Sequence, residues 1–93
     1  MITMRSVPKR RPGTAWQEIE REIVILPPGE ERLIGLNDAA GRIWLLADGT
    51  RTAAQIAADL GLVYDAPGER LATDTIGCLE LFAARGWIEV GGE

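Results

Sequence analysis

LNDAAGRIWLLADGTRT, residues 36–52, closes a strand, opens an amphipathic helix and ends that helix in a tight turn. Asn37 or Asp38 is placed to accept a hydrogen bond from the first free amides of a helix, and Ala40, Ile43, Trp44 and Ala47 then recur at helical spacing. Asp48-Gly49 stops this helix, and Thr50 or Thr52 caps the next. The second helix runs from Thr52 to about Leu60, with Ile56, Ala57 and Leu60 inward and Gly61 weakening its end, and Tyr64 then closes over the core. After a break at Ala66-Pro67-Gly68, a third and longest helix extends from about Gly68 to Arg85, where Gly86 suits a left-handed cap.

Upstream, the pattern is strand-like. Trp16, Glu18 and Glu20 share one face from Ala15 onward, while Ala15, Gln17 and Ile19 share the other. Ile23 to Leu26 is a β-branched run, ended by a Pro27-Pro28-Gly29-Glu30 hairpin loop before Arg32, Leu33, Ile34, Gly35 and Leu36. A short strand from Trp87 to Val90 joins the sheet or covers its edge. Residues 1–12 mix Pro8 and Pro12 with Arg5, Lys9, Arg10 and Arg11, so they read as a flexible basic N-terminal arm ahead of one folded domain, 13–93.

Ninety-three residues with 46% hydrophobic content fit a single domain, which at this size buries roughly 60–65% of its unfolded surface. There is no transmembrane-length apolar run, and the N-terminus lacks the apolar stretch of a signal peptide, so a cytoplasmic protein with no membrane partner is expected. One cysteine, Cys78, and no histidine exclude an internal disulfide and the usual zinc spacings. Four of the ten basic residues precede Gly13, leaving six against fourteen acidic ones, a net charge of −8 for residues 13–93. A DNA-binding winged helix neutralises phosphates with a basic recognition helix, whereas the third helix here sets Arg70 and Arg85 against Glu69, Asp74 and Glu80. Nucleic acid is therefore a poor partner for the core.

The LN ahead of a helix bearing Trp44, the DG-x-RT turn, Ile56, Asp74 and the helix end at Arg85-Gly86 resemble the PqqD family, the RiPP recognition elements, from about Ile23 to Val90. The resemblance implies an α+β, winged-helix-like fold in which a three-stranded antiparallel sheet packs on a three-helix bundle. It implies binding of the leader segment of a ribosomally made precursor peptide and its presentation to a maturation enzyme. In such proteins that enzyme is often a radical enzyme using S-adenosylmethionine; other members serve proteases or cyclases. The family's type members act in pyrroloquinoline quinone biosynthesis, and this chain departs from them in its extended basic N-terminus and parts of its first strand. The leader would pair with the third strand as an extra strand and lie against the third helix.

On a helical wheel, Ala72, Thr75, Ile76, Leu79, Phe82 and Ala83 form the core-facing arc of that helix. A second strip of Asp74, Cys78, Leu81 and Arg85, with Gly77 beside it, is left over. Small residues at its middle leave room for a backbone, and Leu81 adds apolar contact. With the resemblance, the candidate peptide site becomes Arg32, Leu33, Ile34, Gly35 and Leu36 against Asp74, Gly77, Cys78, Leu81 and Arg85. The bland alternatives are a charged edge strand that resists aggregation, and an Asp74 that braces the fold instead of meeting peptide. Trp44 reads as a core anchor and Cys78 as a small half-buried apolar residue.

Glu18, Glu20, Glu22, Glu30 and Glu31 form no pair fixed by spacing, and the glycines match no phosphate-binding pattern. No catalysis, metal or cofactor is expected. Three readings follow: a non-catalytic leader-peptide chaperone, a nucleic-acid-binding regulator whose basic arm contacts phosphates, and a subunit that dimerises through the same sheet edge.

Overall fold

The computed structural model describes residues 1–27 and 29–92. Its elements run β1 (Val7–Arg10), β2 (Ala15–Ile19), β3 (Glu22–Leu26), β4 (Ile34–Leu36), α1 (Asp38–Leu46), α2 (Ala53–Leu60), α3 (Gly68–Ala84) and β5 (Ile88–Gly91). The α+β class, the three-stranded antiparallel sheet and the three helices agree with the sequence reading. The sheet has the order β2-β3-β4, with Trp16 opposite Ile25, Ile23 opposite Leu36 and Ile25 opposite Ile34. Pro28, expected in the loop between β3 and β4, lies outside the described residues.

Local chemistry sets the helix ends. Asn37 Oδ1 accepts from the Ala40 amide at 2.8 Å, so Asn37 is the cap of α1. Thr52 caps α2 in a reciprocal box, its hydroxyl accepting from the Gln55 amide while the Gln55 side chain accepts from the Thr52 amide. Between them, Asp48 Oδ1 accepts from both the amide and the hydroxyl of Thr50, and Arg51 donates to Oδ2. The Thr50 hydroxyl foremost, aided by its amide and by Arg51, holds the Asp48 carboxyl down at about 2, against the opposing effect of partial burial. At the far end of α3, Gly86 adopts φ +76°, and the Trp87 amide turns back to the Phe82 carbonyl at 2.9 Å.

The core gathers Ile23 and Ile25 from the sheet, Ile43 and Trp44 from α1, Ile56 and Leu60 from α2, Leu71, Leu79 and Phe82 from α3, and Trp87 and Ile88 beyond it. Along the expected arc of α3, Thr75, Leu79 and Phe82 are buried and Ala72, Ile76 and Ala83 half-buried. Leu71 joins them because α3 also packs along α2. Trp44 is fully buried; its indole stands edge-on to Trp16 at 6.5 Å and to Phe82 at 5.5 Å.

The N-terminus corrects the expectation of a flexible arm. β1 pairs antiparallel with β5, from Val7 opposite Gly91 to Arg10 opposite Ile88, and its other edge meets the α1–α2 turn. There the Arg10 amide donates to Ala47 and the Gly49 amide to Pro8, both at 2.9 Å. Ile2 lies in the core, and Ser6 and Pro8 are fully buried. Arg10 donates to the Trp44 and Leu45 carbonyls at 2.8 Å and stacks over Trp16 at 5.1 Å. Its charge thus sits on the carbonyls at the negative end of α1, where the Leu45 carbonyl has no helical partner and the Trp44 carbonyl shares the Ala47 amide at 3.3 Å. The final strand accordingly forms a separate two-stranded sheet with β1 and does not join β2-β3-β4.

Two predictions come from the turns. Glu20 and Arg21 join β2 to β3 with φ of 50° and 73°, a left-handed pair that disfavours side chains. Arg21→Gly should raise unfolding stability by about 1 kcal/mol in denaturant titration. Because the folded pKa of Asp48 lies below its ordinary 3.8, its contribution is present above pH 4 and is lost as pH falls from roughly 4 to 2. Asp48→Asn should lower stability at pH 7 by about 1 kcal/mol after discounting for solvent screening, and should flatten that acid limb.

Candidate functional site

Strand order decides where the fold is open. β4 pairs with β3 on one side only, so among the described residues the main-chain groups of its outer edge have no strand partner. α3 runs alongside that edge. Between them lies a groove of about 410 Å³ whose floor is Ile34 and Leu36 from β4 with Cys78, Leu81 and Phe82 from α3; Arg85 and Trp87 close one end. Beyond Asn37 and Ala40 the groove opens into a larger cavity of about 750 Å³. This second part is walled by Ala39, Ala40 and Ile43 of α1, by Tyr64, Asp65 and Ala66 ahead of α3, and by Arg70, Leu71, Asp74 and Gly77 on α3. Asn37, Ala40, Cys78 and Leu81 border both parts, so the two form one trough along the helix.

Small side chains keep the trough open. A Cβ at Gly77 would meet nothing within 4 Å, and Cys78 and Ala40 are the next smallest residues on the two walls. Leu81 is 51% exposed at the lip, apolar surface without a partner. At one end Arg85 lies 5.5 Å over the Trp87 ring. Toward the other, Asp74 and Arg70 face each other at 3.7 Å, both largely in solvent. Asp74 therefore sits on the rim as a weakly paired charge and does not brace the interior.

Eight of the ten residues expected at the site line this trough: Ile34, Gly35, Leu36, Asp74, Gly77, Cys78, Leu81 and Arg85. Arg32 and Leu33 precede β4 and are not brought to it. Leu33 is 62% exposed and lies with Val24 and Leu26 on the opposite face of the sheet. The residues not foreseen there are Asn37, Ala39, Ala40, Ile43, Leu60, Tyr64, Asp65, Ala66, Arg70, Leu71, Phe82 and Trp87. Tyr64 carried a signal as an aromatic expected to close over the core, and Leu60 and Phe82 as inward residues of their helices. Asn37, Ala40 and Ile43 read first as a cap and a helix stripe, and each does that as well as bordering the trough.

An unpaired strand edge above an apolar floor, with charges at the rim, can take an extended chain through main-chain hydrogen bonds and seat its alternate side chains. Nucleophilic chemistry is poorly served. Burial pushes the Cys78 thiol up to about 11, and no group of three or more metal-ligating side chains occurs among the described residues.

Comparison with known proteins gives a consistent family. The model of the family described as coenzyme PQQ synthesis protein D (PqqD) matches residues 22–88. A curated protein of Stutzerimonas stutzeri (strain A1501), described as PqqA binding protein, is 35% identical over 91 residues, 96% of each chain. The solution NMR structure of the PqqD truncation of Methylobacterium extorquens PqqCD, a stand-alone RiPP recognition element, is 31% identical; it covers 96% of this chain and 95% of that one with a TM-score of 0.77. TbiB1 in complex with the TbiA(beta) leader peptide shares the fold at 24% identity, with a TM-score of 0.76 over 87% of this chain and 94% of that one.

The thiol gives a direct check on the site's chemistry. With its pKa near 11 in place of 9.0, Cys78 should be alkylated by iodoacetamide at pH 8 roughly a hundredfold more slowly than a free cysteine. A rate equal to that of the free thiol would show that the helix face is more open than described.

Proposed function

The chain belongs to the PqqD family, and we propose that it captures the leader segment of a ribosomally made precursor peptide and presents it, without chemistry of its own, to a maturation enzyme. The observation that carries this reading is the free edge of β4 set against the trough along α3. The relative from Stutzerimonas stutzeri is described as a PqqA binding protein, which makes a PqqA-like peptide the ligand class for this chain. A maturation enzyme of the radical S-adenosylmethionine type, acting in the cytoplasm, fits a precursor of that kind.

The leader lies as a fourth strand beside Ile34, Gly35 and Leu36. Main-chain hydrogen bonds give affinity largely independent of peptide sequence. Selectivity comes from the side chains that point inward, onto Cys78, Leu81 and Phe82 near the strand and into the wider cavity toward Tyr64. The protein's contribution to the reaction is local concentration, since a tethered core peptide meets the enzyme at roughly millimolar effective concentration. Neither Cys78, held protonated, nor the exposed carboxylates supply an acid, base or nucleophile.

The nucleic-acid reading drew its phosphate contacts from the basic N-terminus. Arg10 is instead engaged with the α1 carbonyls and the Trp16 ring, and this ties that part of the basic segment into the fold.

A titration of ¹⁵N-labelled protein with a synthetic leader of a PqqA-like precursor tests the proposal. Saturable shifts should concentrate at residues 34–36 and 74–85; no shift with any leader would overturn the reading. Leu81→Glu should weaken binding at least tenfold with an unchanged circular dichroism spectrum. Gly77→Leu fills the trough yet favours the helix by about 0.5–1 kcal/mol, so a loss of binding in this variant cannot be ascribed to unfolding. Wild-type affinity in both variants would move the site away from α3.

A further inference from the structure

The sheet has two faces, and only one meets the helices. Ile23, Ile25 and Ile34 turn inward to the core and the trough. The other face carries Ile19, Val24, Leu26 and Leu33, which with Ala15 and Gln17 border a shallow depression of about 160 Å³. Ile19 is 45% exposed, Leu26 38% and Leu33 62%. On β4, Gly35 sits opposite Val24, and a Cβ built there would meet nothing within 4 Å, so the apolar face has a notch against the free edge. An apolar sheet face of this kind, bordered by an unpaired strand, has the composition of an interface.

We propose that this outer face is the docking surface for the peptide-modifying enzyme, through a patch on that enzyme with an apolar centre and lysine or arginine at its border. The inference rests on the leader-binding reading above. Charge selects the occupant. Glu20 and Glu22 stand at the hairpin end of the face and Glu31 at the loop end, all exposed, against Arg32; Arg21 and Glu30 border hollows on the helix side of the sheet, the first with Asn37 and Arg42, the second with Arg85 and Trp87. A second copy packed face to face across a two-fold axis would bring these acidic ends together in a chain of net charge −4. A partner with cationic borders gains where a second copy loses.

Position makes the same choice. The leader occupies the edge and inner side of β4 and leaves the outer face open, so an enzyme docked there does not displace the peptide. A leader strand paired with β4 also extends the sheet, and its outward side chains continue the apolar face beyond the Gly35 notch. The enzyme then touches protein and leader at once, and each strengthens binding of the other by the same factor.

The test uses the full chain and a purified maturation enzyme that acts on a PqqA-like precursor, with affinities measured with and without saturating leader. The double variant Ile19→Lys with Leu26→Lys places two cations on the face at exposed positions. It should bind the enzyme at least tenfold more weakly, while its circular dichroism and its leader affinity stay within twofold of wild type. Leader should tighten enzyme binding to the wild type about fivefold, and the wild-type complex should weaken as salt is raised. Wild-type enzyme affinity in the double variant overturns the inference and leaves leader binding intact. A wild-type dimer that the variant dissociates, with enzyme affinity unchanged, overturns it in favour of self-association. Failure of the leader to bind the wild type overturns the proposed function instead, and the enzyme titration without leader still decides the docking face.

Discussion

The structure depends on the burial of Trp44. Its ring stands edge-on to Trp16 of β2 and to Phe82 of α3, and Phe82 continues to Trp87 at 5.8 Å, so aromatic side chains in contact span the molecule from the sheet to the start of β5. Edge-to-face contacts fix distance and angle more tightly than aliphatic packing does. The row therefore sets how far α1 stands from the sheet and how far α3 stands from both. Arg10 secures its outer end, stacked over Trp16 and bonded to the carbonyl of Trp44 itself. Truncating Trp44 would remove contacts to three elements at once, a loss of about 3–5 kcal/mol by comparison with other buried aromatics.

The trough is a consequence of that spacing. With α3 held off the sheet by Phe82 and Leu79, the trough meets only Cys78 and Ala40 as small residues beside β4, and Gly77 and Ala39 where it widens. Large residues at those places would close the gap and bury β4's edge under side chains. The space and the unpaired strand thus have one origin, small residues on two helices whose separation is set elsewhere. Arg42 of α1, paired with Asp59 of α2 at 2.7 Å, ties the two helices beside the wider end.

Most of this was legible where the signal is local. Helix caps, the DG turn and the apolar periods of α2 and α3 depend on neighbours within a few residues, and they were read to within one or two positions. β1 was not. Val7 to Arg10 has a proline, two cations and no alternation, and it is a strand because it fits between β5 and the Asp48-Gly49 turn, partners distant in sequence. Pro8 is tolerated since its carbonyl, not its missing amide, makes the contact to Gly49. The Glu20-Arg21 turn was invisible for the opposite reason: two left-handed residues normally announce themselves as glycine or asparagine, and here neither is present. Of the expected site, the α3 strip and the β4 residues came together. Leu33 did not, because a strand alternates its faces and Ile34 and Leu36 turn toward the trough.

On the proposed reading, that alternation also explains how so small a domain would hold two partners at once. A single three-residue strand has an edge, an inner face and an outer face, and each is chemically different. The edge offers main-chain groups that any extended peptide can satisfy, the inner face adds an apolar floor that selects among peptides, and the outer face is apolar with acidic ends. A ligand on the edge does not cover the outer face; it widens it. Coupling of this kind needs no change of conformation, because the peptide itself supplies surface to the second contact. Tight affinity for either partner alone would then be unnecessary.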